Sequence, residues 1–469
     1  MIRFWSGFWL FLLAIGLPVD SPAATRPNIV FILADDFGYG DLACYGHPYA
    51  RTPNIDRLAS EGTRFTQIYS TGVTCCPART GLMTSKFPAT FATYPANGGF
   101  DDRVTITQLL QKAGYRTGHF GKWHIGPDEK DGTYGIDVVG VDSDEKLAAR
   151  GKTTDGRDSH IFDGAIRFIE DNKAGPFYVN VWCHISHHPV NPSQATLDRF
   201  GDFQLDENKC SSSLREKFAL CRQMGGDVHD HFRRYLADVF SLDEDVGRLL
   251  KRMDELGLRE NTIVVYSSDQ GAAPLRAPFD AGDKGKKKKK NKSGDGNDRL
   301  EIRLNALGSA GELRGGKHGM FEGGVRVPFI VRWPGHTPSG RVDQESVISG
   351  IDWLPTICQI TGVALPNTDM DGEDASAAWL GKTHHRTKPL FWKTSNPNSD
   401  LAIRDGQWKL LDPNRRRGEP ELYDIVTDPS ENNNLAKSRP EVAAALSAKL
   451  KAWNATLPTE YVKTDDRQE

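Results

Sequence analysis

Several shortages narrow what this chain of 469 residues can be. It has seven cysteines, too few to staple a chain of this size. Their number is odd, so they cannot all pair within one molecule. No Cys-x-x-Cys motif is present, and the adjacent Cys75 and Cys76 lack the spacer of a dithiol redox centre. Charge of one sign is also missing: 59 Lys and Arg stand against 62 Asp and Glu, a formal net charge of -3. That balance gives no electrostatic case for nucleic-acid binding. Beyond residue 17 no apolar run is long enough to span a bilayer, and no segment repeats. With 38% apolar and 26% charged residues, neither a membrane bundle nor a disordered polyelectrolyte fits. At roughly 100–200 residues per domain, the length allows two or three domains.

What is present begins with an address. Arg3, the apolar run 8–17 and the small residues Ser21-Pro22-Ala23-Ala24 form the three parts of a secretory signal peptide over residues 1–24, cleaved near Ala23 or Ala24. The mature protein is expected to be exported (periplasmic, secreted or lumenal), without stable membrane insertion.

Strand and helix patterns then alternate. Residues 28–34 are continuously apolar, as in a strand buried on both faces, and Asp35 and Asp36 follow directly. Thr52-Pro53 opens a helix that stops at Gly62, and Thr105 opens another. Strands are expected at 115–120, 177–182, 262–266 and 325–331, and a long amphipathic helix over 231–257. The fold class is α/β: a large, doubly wound, mixed but mainly parallel sheet flanked by helices. In such sheets ligands lie beyond the carboxyl ends of the strands. Asp35-Asp36 and Asp269-Gln270 each follow a buried strand, so both pairs should meet on one edge. The Lys-rich run 283–292 reads as a mobile, solvated loop of about residues 280–298. From about residue 385 short strands and a final helix over 440–453 predict a smaller C-terminal α+β subdomain, 385–469, with a short antiparallel sheet.

The segment Cys75-Cys76-Pro77-Ala78-Arg79 sets a cysteine at a helix start with an arginine one turn in. There a thiolate would gain from the helix dipole and from Arg79, unless the cysteines are simply buried. Cys75-x-Pro77-x-Arg79 followed by an apolar helix resembles the signature of the type I sulfatases, in the alkaline-phosphatase superfamily. Other segments resemble that family in the right order: 27–40 with Asp35 and Asp36, Gly121-Lys122-Trp123-His124, Ser186-His187-His188-Pro189, Ser268-Asp269-Gln270-Gly271, Gly316-Lys317 through Glu322-Gly323-Gly324, and Glu421-Leu422-Tyr423-Asp424 with Asp428-Pro429-Ser430-Glu431. There are departures. Cys76 stands where Ser or Thr is commoner, Ser85-Lys86 where Gly-Arg is usual, and Gln270 where the family has Asn.

The resemblance implies a catalytic domain over 25–384 in which Cys75 is oxidised to formylglycine by a maturation enzyme. Its hydrated aldehyde would be the nucleophile attacking sulfur. By the same resemblance Asp35, Asp36, Asp269 and Gln270, with residue 75, hold a divalent cation. An all-oxygen set of this kind suits Ca2+ or Mg2+ rather than zinc. Arg79, Lys122 and Lys317 supply positive charge for a sulfate ester. Lys122, His187 and Lys317 bind substrate, His187 protonates the departing alcohol, and His124 takes the proton that lets sulfate leave. His184 and His188 remain candidates for the substrate pocket. The implied activity is hydrolysis of sulfate esters, of sulfated carbohydrates in particular. Its rivals are a phosphate or phosphonate monoester hydrolase of the same superfamily and a non-catalytic binder of sulfated glycans. Removing Cys75 from the thiol count leaves six, among which Cys210 and Cys221 are the one plausible bridge.

Overall fold

The computed structural model describes residues 26–94, 98–126, 130–140, 156–275, 303–394, 400–413 and 418–462. The expected signal peptide and the Lys-rich loop lie outside these residues. Among the described residues the larger sheet has nine strands: β1 (Asn28–Ala34), β2 (Thr63–Tyr69), β3 (Arg116–Gly121), β4 (Val138–Gly140), β5 (Phe177–Trp182), β6 (Thr262–Ser268), β7 (Arg326–Arg332), β8 (Arg341–Asp343) and β9 (Ile348–Ser349). Their order is β4-β3-β5-β1-β6-β7-β2-β8, with β9 also on β2. From β4 to β6 every pairing is parallel. β7 runs antiparallel to both its neighbours, β6 and β2. The sheet is therefore mixed and mainly parallel, as the alternation of elements predicts.

The central strands are apolar on both faces because both faces are covered. Val30, Ile32 and Ala34 of β1 join one core layer and Ile29, Phe31 and Leu33 the other. Each of the larger of these side chains contributes about 1.5–3 kcal/mol when fully buried. The helix Val228–Glu255 backs the first layer, its N-terminus capped by the Asp227 carboxylate, which accepts from the amides of His229 and Asp230. It starts three residues before the expected 231 because that cap fixes the first turn. The second layer is closed by helices Ile106–Lys112 and Trp353–Thr361. Among the described residues no helix is long and apolar enough to cross a membrane.

The smaller sheet is antiparallel, β10 (Leu390–Lys393), β11 (Leu401–Asp405), β12 (Trp408–Asp412) and β13 (Glu421–Asp424), in that order. Helix Pro440–Ala455 packs on it through Leu446 and Leu450. The two sheets meet where Trp392 donates its indole N–H to the Ser70 carbonyl at 2.8 Å. They are also joined by a buried charge cluster: Lys409 Nζ lies 2.8 Å from Glu322 Oε1 and 3.0 Å from Glu431 Oε1.

One expectation fails. Cys210 and Cys221 form no bridge, and both thiols are buried in the first core layer. Cys221 lies in the last turn of helix Ser212–Gln223, and Cys210 precedes that helix. At about 1.5 Å of rise per residue, the rigid helix carries the two Cα atoms well past the roughly 4.4–6.8 Å that a disulfide spans.

Candidate functional site

Parallel pairing of β1 with β6 sets Ala34 beside Ser268, so the residues that follow each strand emerge together. Asp35 and Asp36 leave one strand and Asp269 and Gln270 the other. The Asp36 amide donates to Asp269 Oδ1 at 3.2 Å, which closes the two strand ends on each other. Carboxylate oxygens of Asp35, Asp36 and Asp269 lie within 4.8 Å of one another. All three residues are buried.

Helix Cys75–Thr84 starts at this edge, with Cys75 its first residue. The Cys75 thiol lies 3.2 Å from Asp35 Oδ1 and 3.7 Å from Asp36 Oδ1. Lys122 Nζ approaches the sulfur to 3.4 Å, Gln270 Nε2 to 3.4 Å and Lys317 Nζ to 3.5 Å. One turn on, Arg79 donates from Nε and Nη2 to Asp269 Oδ2 and from Nη1 to the Lys122 carbonyl at 2.7 Å. Its guanidinium also lies over the Trp182 ring, 5.1 Å from the centroid. Lys122 follows Gly121, which has φ +101 and no room for a Cβ, since one would sit 2.0 Å from the Trp182 carbonyl oxygen. Only glycine lets β3 turn there against β5 and bring Lys122 Nζ to Asp35 Oδ2 at 2.6 Å. Lys317 Nζ reaches Asp36 Oδ2 at 2.9 Å.

The histidines are placed differently. His187 Nε2 is 3.8 Å from Asp36 Oδ2, and its Nδ1 is 2.7 Å from the His188 carbonyl oxygen. His188 stacks on His187, ring centroids 4.3 Å apart, and is exposed. His184 faces Asp158 instead, Nδ1 to Oδ1 3.4 Å. His124 sits in the left-handed region at φ 56, and its buried Nδ1 has no hydrogen-bond partner among the described residues. Burial, then the charge of Lys122, pushes its pKa down to about 3, so its imidazole is neutral. Burial likewise pushes His187 well below the usual histidine value.

Of the two readings of the Cys75-Cys76 pair, a dipole-stabilised thiolate and buried thiols, the structure favours burial. Burial, and next the Asp35 carboxylate, pushes the Cys75 thiol well above its ordinary value. A helix terminus offers about half a charge, and here burial of the thiol, with the Asp35 carboxylate next, outweighs it. Burial also pushes Cys76 up to about 12. Neither thiol suits redox exchange. Burial opposes the charge of Asp35, but Lys122, with His187, Arg79 and Lys317, holds it well below the carboxylate range. Asp269 moves the other way, raised by burial and by Asp35.

The residues that could hold a cation are Asp35, Asp36, Asp269 and Gln270. Gln270 is buried, and its Oε1 has no hydrogen-bond partner among the described residues, while Nε2 donates to Asp36 Oδ1. Turning the amide over would aim Oε1 at that carboxylate, which is tolerable only with a cation between the oxygens. The donor set is all oxygen and fits a hard divalent ion. The extra methylene of Gln270 does not take it out of reach of the cluster.

Two residues of this region have no motif to announce them. Arg157 and Asp158 immediately precede helix Ser159–Asn172, where Asp158 stands at the position of a helix cap. It makes no such cap; its carboxylate reaches across to the amides of His184 and Ile185, at 2.7 and 2.9 Å. In the sequence the two are a charged pair, which says nothing of a loop 26 residues on.

Residues 27–363 match a family model described as Sulfatase, and residues 315–456 match one described as N-sulphoglucosamine sulphohydrolase, C-terminal. The chain is 29% identical to the arylsulfatase A of Homo sapiens, over 93% of this chain and 89% of that protein. It is 28% identical to the N-acetylgalactosamine-6-O-sulfatase of Bacteroides thetaiotaomicron, over 91% of this chain and 93% of that protein. Among solved structures, Ps i-CgsB in complex with k-i-k-neocarrahexaose aligns with a TM-score of 0.74 at 24% identity, covering 94% of this chain and 96% of that one.

Proposed function

The chain belongs to the sulfatase family and is a sulfuric ester hydrolase, and we propose that it acts on sulfated carbohydrates, using a formylglycine made from Cys75 and a bound divalent cation. The observation that carries this reading is the convergence on Cys75 Sγ of Asp35, Asp36, Lys122, Gln270 and Lys317, all within 3.7 Å. The carbohydrate preference follows the relative that cleaves sulfate from N-acetylgalactosamine.

Formylglycine supplies, once hydrated, a hydroxyl nucleophile and a second hydroxyl through which sulfate is expelled. Ca2+ or Mg2+ held by Asp35, Asp36, Asp269 and Gln270 supplies positive charge beside residue 75. The chain's own groups do the rest. A sulfate ester is anionic, and attack at sulfur adds anionic oxygen, so the site must offer preorganised cations. Lys122 and Lys317 both reach residue 75 and so can bind the sulfate oxygens at the moment of attack. Arg79 fixes Asp269 and the backbone of Lys122, and thereby the geometry of both. His187 lies on the side of Asp36, where its Nε2 can hold a proton for the departing alcohol. The negative charge of the bound ester raises the proton affinity of that imidazole, so the proton comes with the substrate. His124, kept neutral, is the acceptor for a proton from residue 75. We further propose export with cleavage near Ala23 or Ala24, and maturation by a formylglycine-generating enzyme.

The test is mass spectrometry of the peptide containing residue 75, together with turnover of 4-nitrophenyl sulfate and 4-nitrophenyl phosphate. An aldehyde at 75 and faster turnover of the sulfate are expected. An unmodified thiol in a fully active sample would sink the formylglycine reading, and faster phosphate turnover would favour a phosphoryl ester as substrate.

A further inference from the structure

The loop that carries His187 owes its shape to two side chains from elsewhere in the chain. Arg157 is 5% exposed and Asp158 fully buried. Arg157 donates from Nη1 to the Pro189 carbonyl at 2.6 Å and from Nη2 to the carbonyls of His187 and His184 at 2.8 and 3.3 Å. Its charge is met by Asp238 of helix Val228–Glu255, Nη2 to Oδ2 2.9 Å. Asp158 takes the opposite polarity and accepts the amides of His184 and Ile185. Two neighbouring residues therefore hold three carbonyls and two amides of the segment 184–189. On its other side the loop is tied to β1, the Ser186 amide donating to the Asp35 carbonyl at 2.7 Å and the Asp35 amide to the Ile185 carbonyl at 3.0 Å.

We propose that Arg157 and Asp158 are positioning residues for His187, setting its imidazole against Asp36 and the departing oxygen. The inference rests on the reading of His187 as the proton donor. Its physical basis is that a planar guanidinium is rigid and can serve several carbonyls at once, whereas a lysine ammonium is a single point on a flexible stem. Loop backbone held by only one or two ordinary hydrogen bonds would let the ring wander, and a displacement of about 1 Å at a reacting group can cost on the order of a hundredfold in rate. A merely architectural role for the pair would slow every substrate alike. A positioning role instead makes the penalty depend on how much help the leaving group needs.

The test uses the matured full-length enzyme and a series of aryl sulfates from 4-nitrophenyl through phenyl to 4-methoxyphenyl sulfate. The variants are R157K, D158N, H187A and the double variants R157K/H187A and D158N/H187A. Thermal melts establish which are folded. H187A should lose on the order of 10²-fold in kcat/KM for 4-methoxyphenyl sulfate and much less for 4-nitrophenyl sulfate. R157K and D158N should steepen the leaving-group dependence in the same sense, by on the order of tenfold across the series. Each double variant should be no worse than H187A alone. Equal losses across the series, or losses that multiply in the double variants, would overturn the positioning role. A flat series for H187A alone would instead reject His187 as the donor, while the double-variant comparison still decides whether the pair acts through it. Should R157K fail to fold, the D158N cycle carries the same decision.

Discussion

Arg79 grips a single oxygen of Asp269 with two nitrogens, Nε at 3.0 Å and Nη2 at 2.8 Å from Oδ2. Asp269 Oδ1 is left to the backbone amides of Asp36 and Gln270. The pair is fully buried, so the guanidinium holds in place the end of one strand and, through the Asp36 amide, the end of the other.

Removing that guanidinium should therefore cost both fold and function. Arg79→Ala leaves a buried carboxylate without its partner, a loss of about 3–5 kcal/mol in urea unfolding. Arg79→Lys should fold better, since a charge remains, yet stay far below wild type in kcat/KM because one ammonium cannot serve Asp269 and the Lys122 carbonyl together. Activity within about threefold of wild type for Arg79→Lys, against the roughly hundredfold loss expected of a misplaced group, would refute this view of the site.

Cys75→Ser should preserve the fold and abolish multiple turnover. The side chains are close in size, and the buried thiol donates only to the carboxylates that a hydroxyl would also reach. Equilibrium unfolding should differ by less than about 1 kcal/mol, and steady-state hydrolysis of 4-nitrophenyl sulfate should be lost. Wild-type turnover by the serine variant would remove the need for an aldehyde.

Chelation provides a separate check on the oxygen cluster. Dialysis against EDTA should abolish hydrolysis, and Ca2+ or Mg2+ should restore it, whereas Zn2+ should restore it poorly because the donors are carboxylates and an amide. Asp36→Asn should raise the Ca2+ concentration needed for half-maximal activity. An EDTA-treated enzyme at full rate, with metal content measured as nil, would rule the ion out.

The cluster at the junction of the sheets predicts a pH signature. Glu322 is held well below its ordinary pKa, burial being overcome by Lys409 and then Arg326, while burial raises Glu431 despite Lys409. Lys409→Met would leave Glu431 without its cation, while Glu322 keeps Arg326. Burial, no longer opposed by Lys409, then holds the folded-state pKa of Glu431 further above the unfolded one, and stability from such a group is present at low pH and lost as pH rises through the folded pKa. The variant should be about 3–5 kcal/mol less stable than wild type at pH 8, and the deficit should shrink at pH 5. A deficit that grows on acidification would contradict the assignment.

How much of this could be read from the chain differs by element. β1, β5 and β6 declare themselves because strands covered on both faces are apolar throughout. β2 does not: Thr63, Arg64, Thr66 and Gln67 interrupt it, since it lies towards the sheet edge and part of its length is only half-buried. The reversal of β7 left no mark either, because parallel and antiparallel neighbours both accept an apolar run. At the site, Asp35, Asp36, Asp269, Gln270, Cys75, Arg79, Lys122 and Lys317 were legible because each follows a strand end or sits in a short motif. Arg157 and Asp158 were not, because their work is on backbone 26 to 32 residues away, which leaves no local pattern. Between a thiolate and a buried thiol at Cys75 the sequence could not choose for a related reason: the dipole of a helix is local and visible in sequence, whereas burial, and next the Asp35 carboxylate, come from other strands.

Residue 75 is 2% exposed in the folded chain, walled in by β1, β3 and the segment around Lys317. An oxidising enzyme that must enclose this side chain in its own active site has no approach to it once those walls have closed. On the proposed formylglycine reading, the oxidation of residue 75 therefore has a deadline, set by the rate at which those walls close. On that reading, a chain that folds before it is modified would be locked out of maturation, and no later supply of the enzyme would rescue it without unfolding.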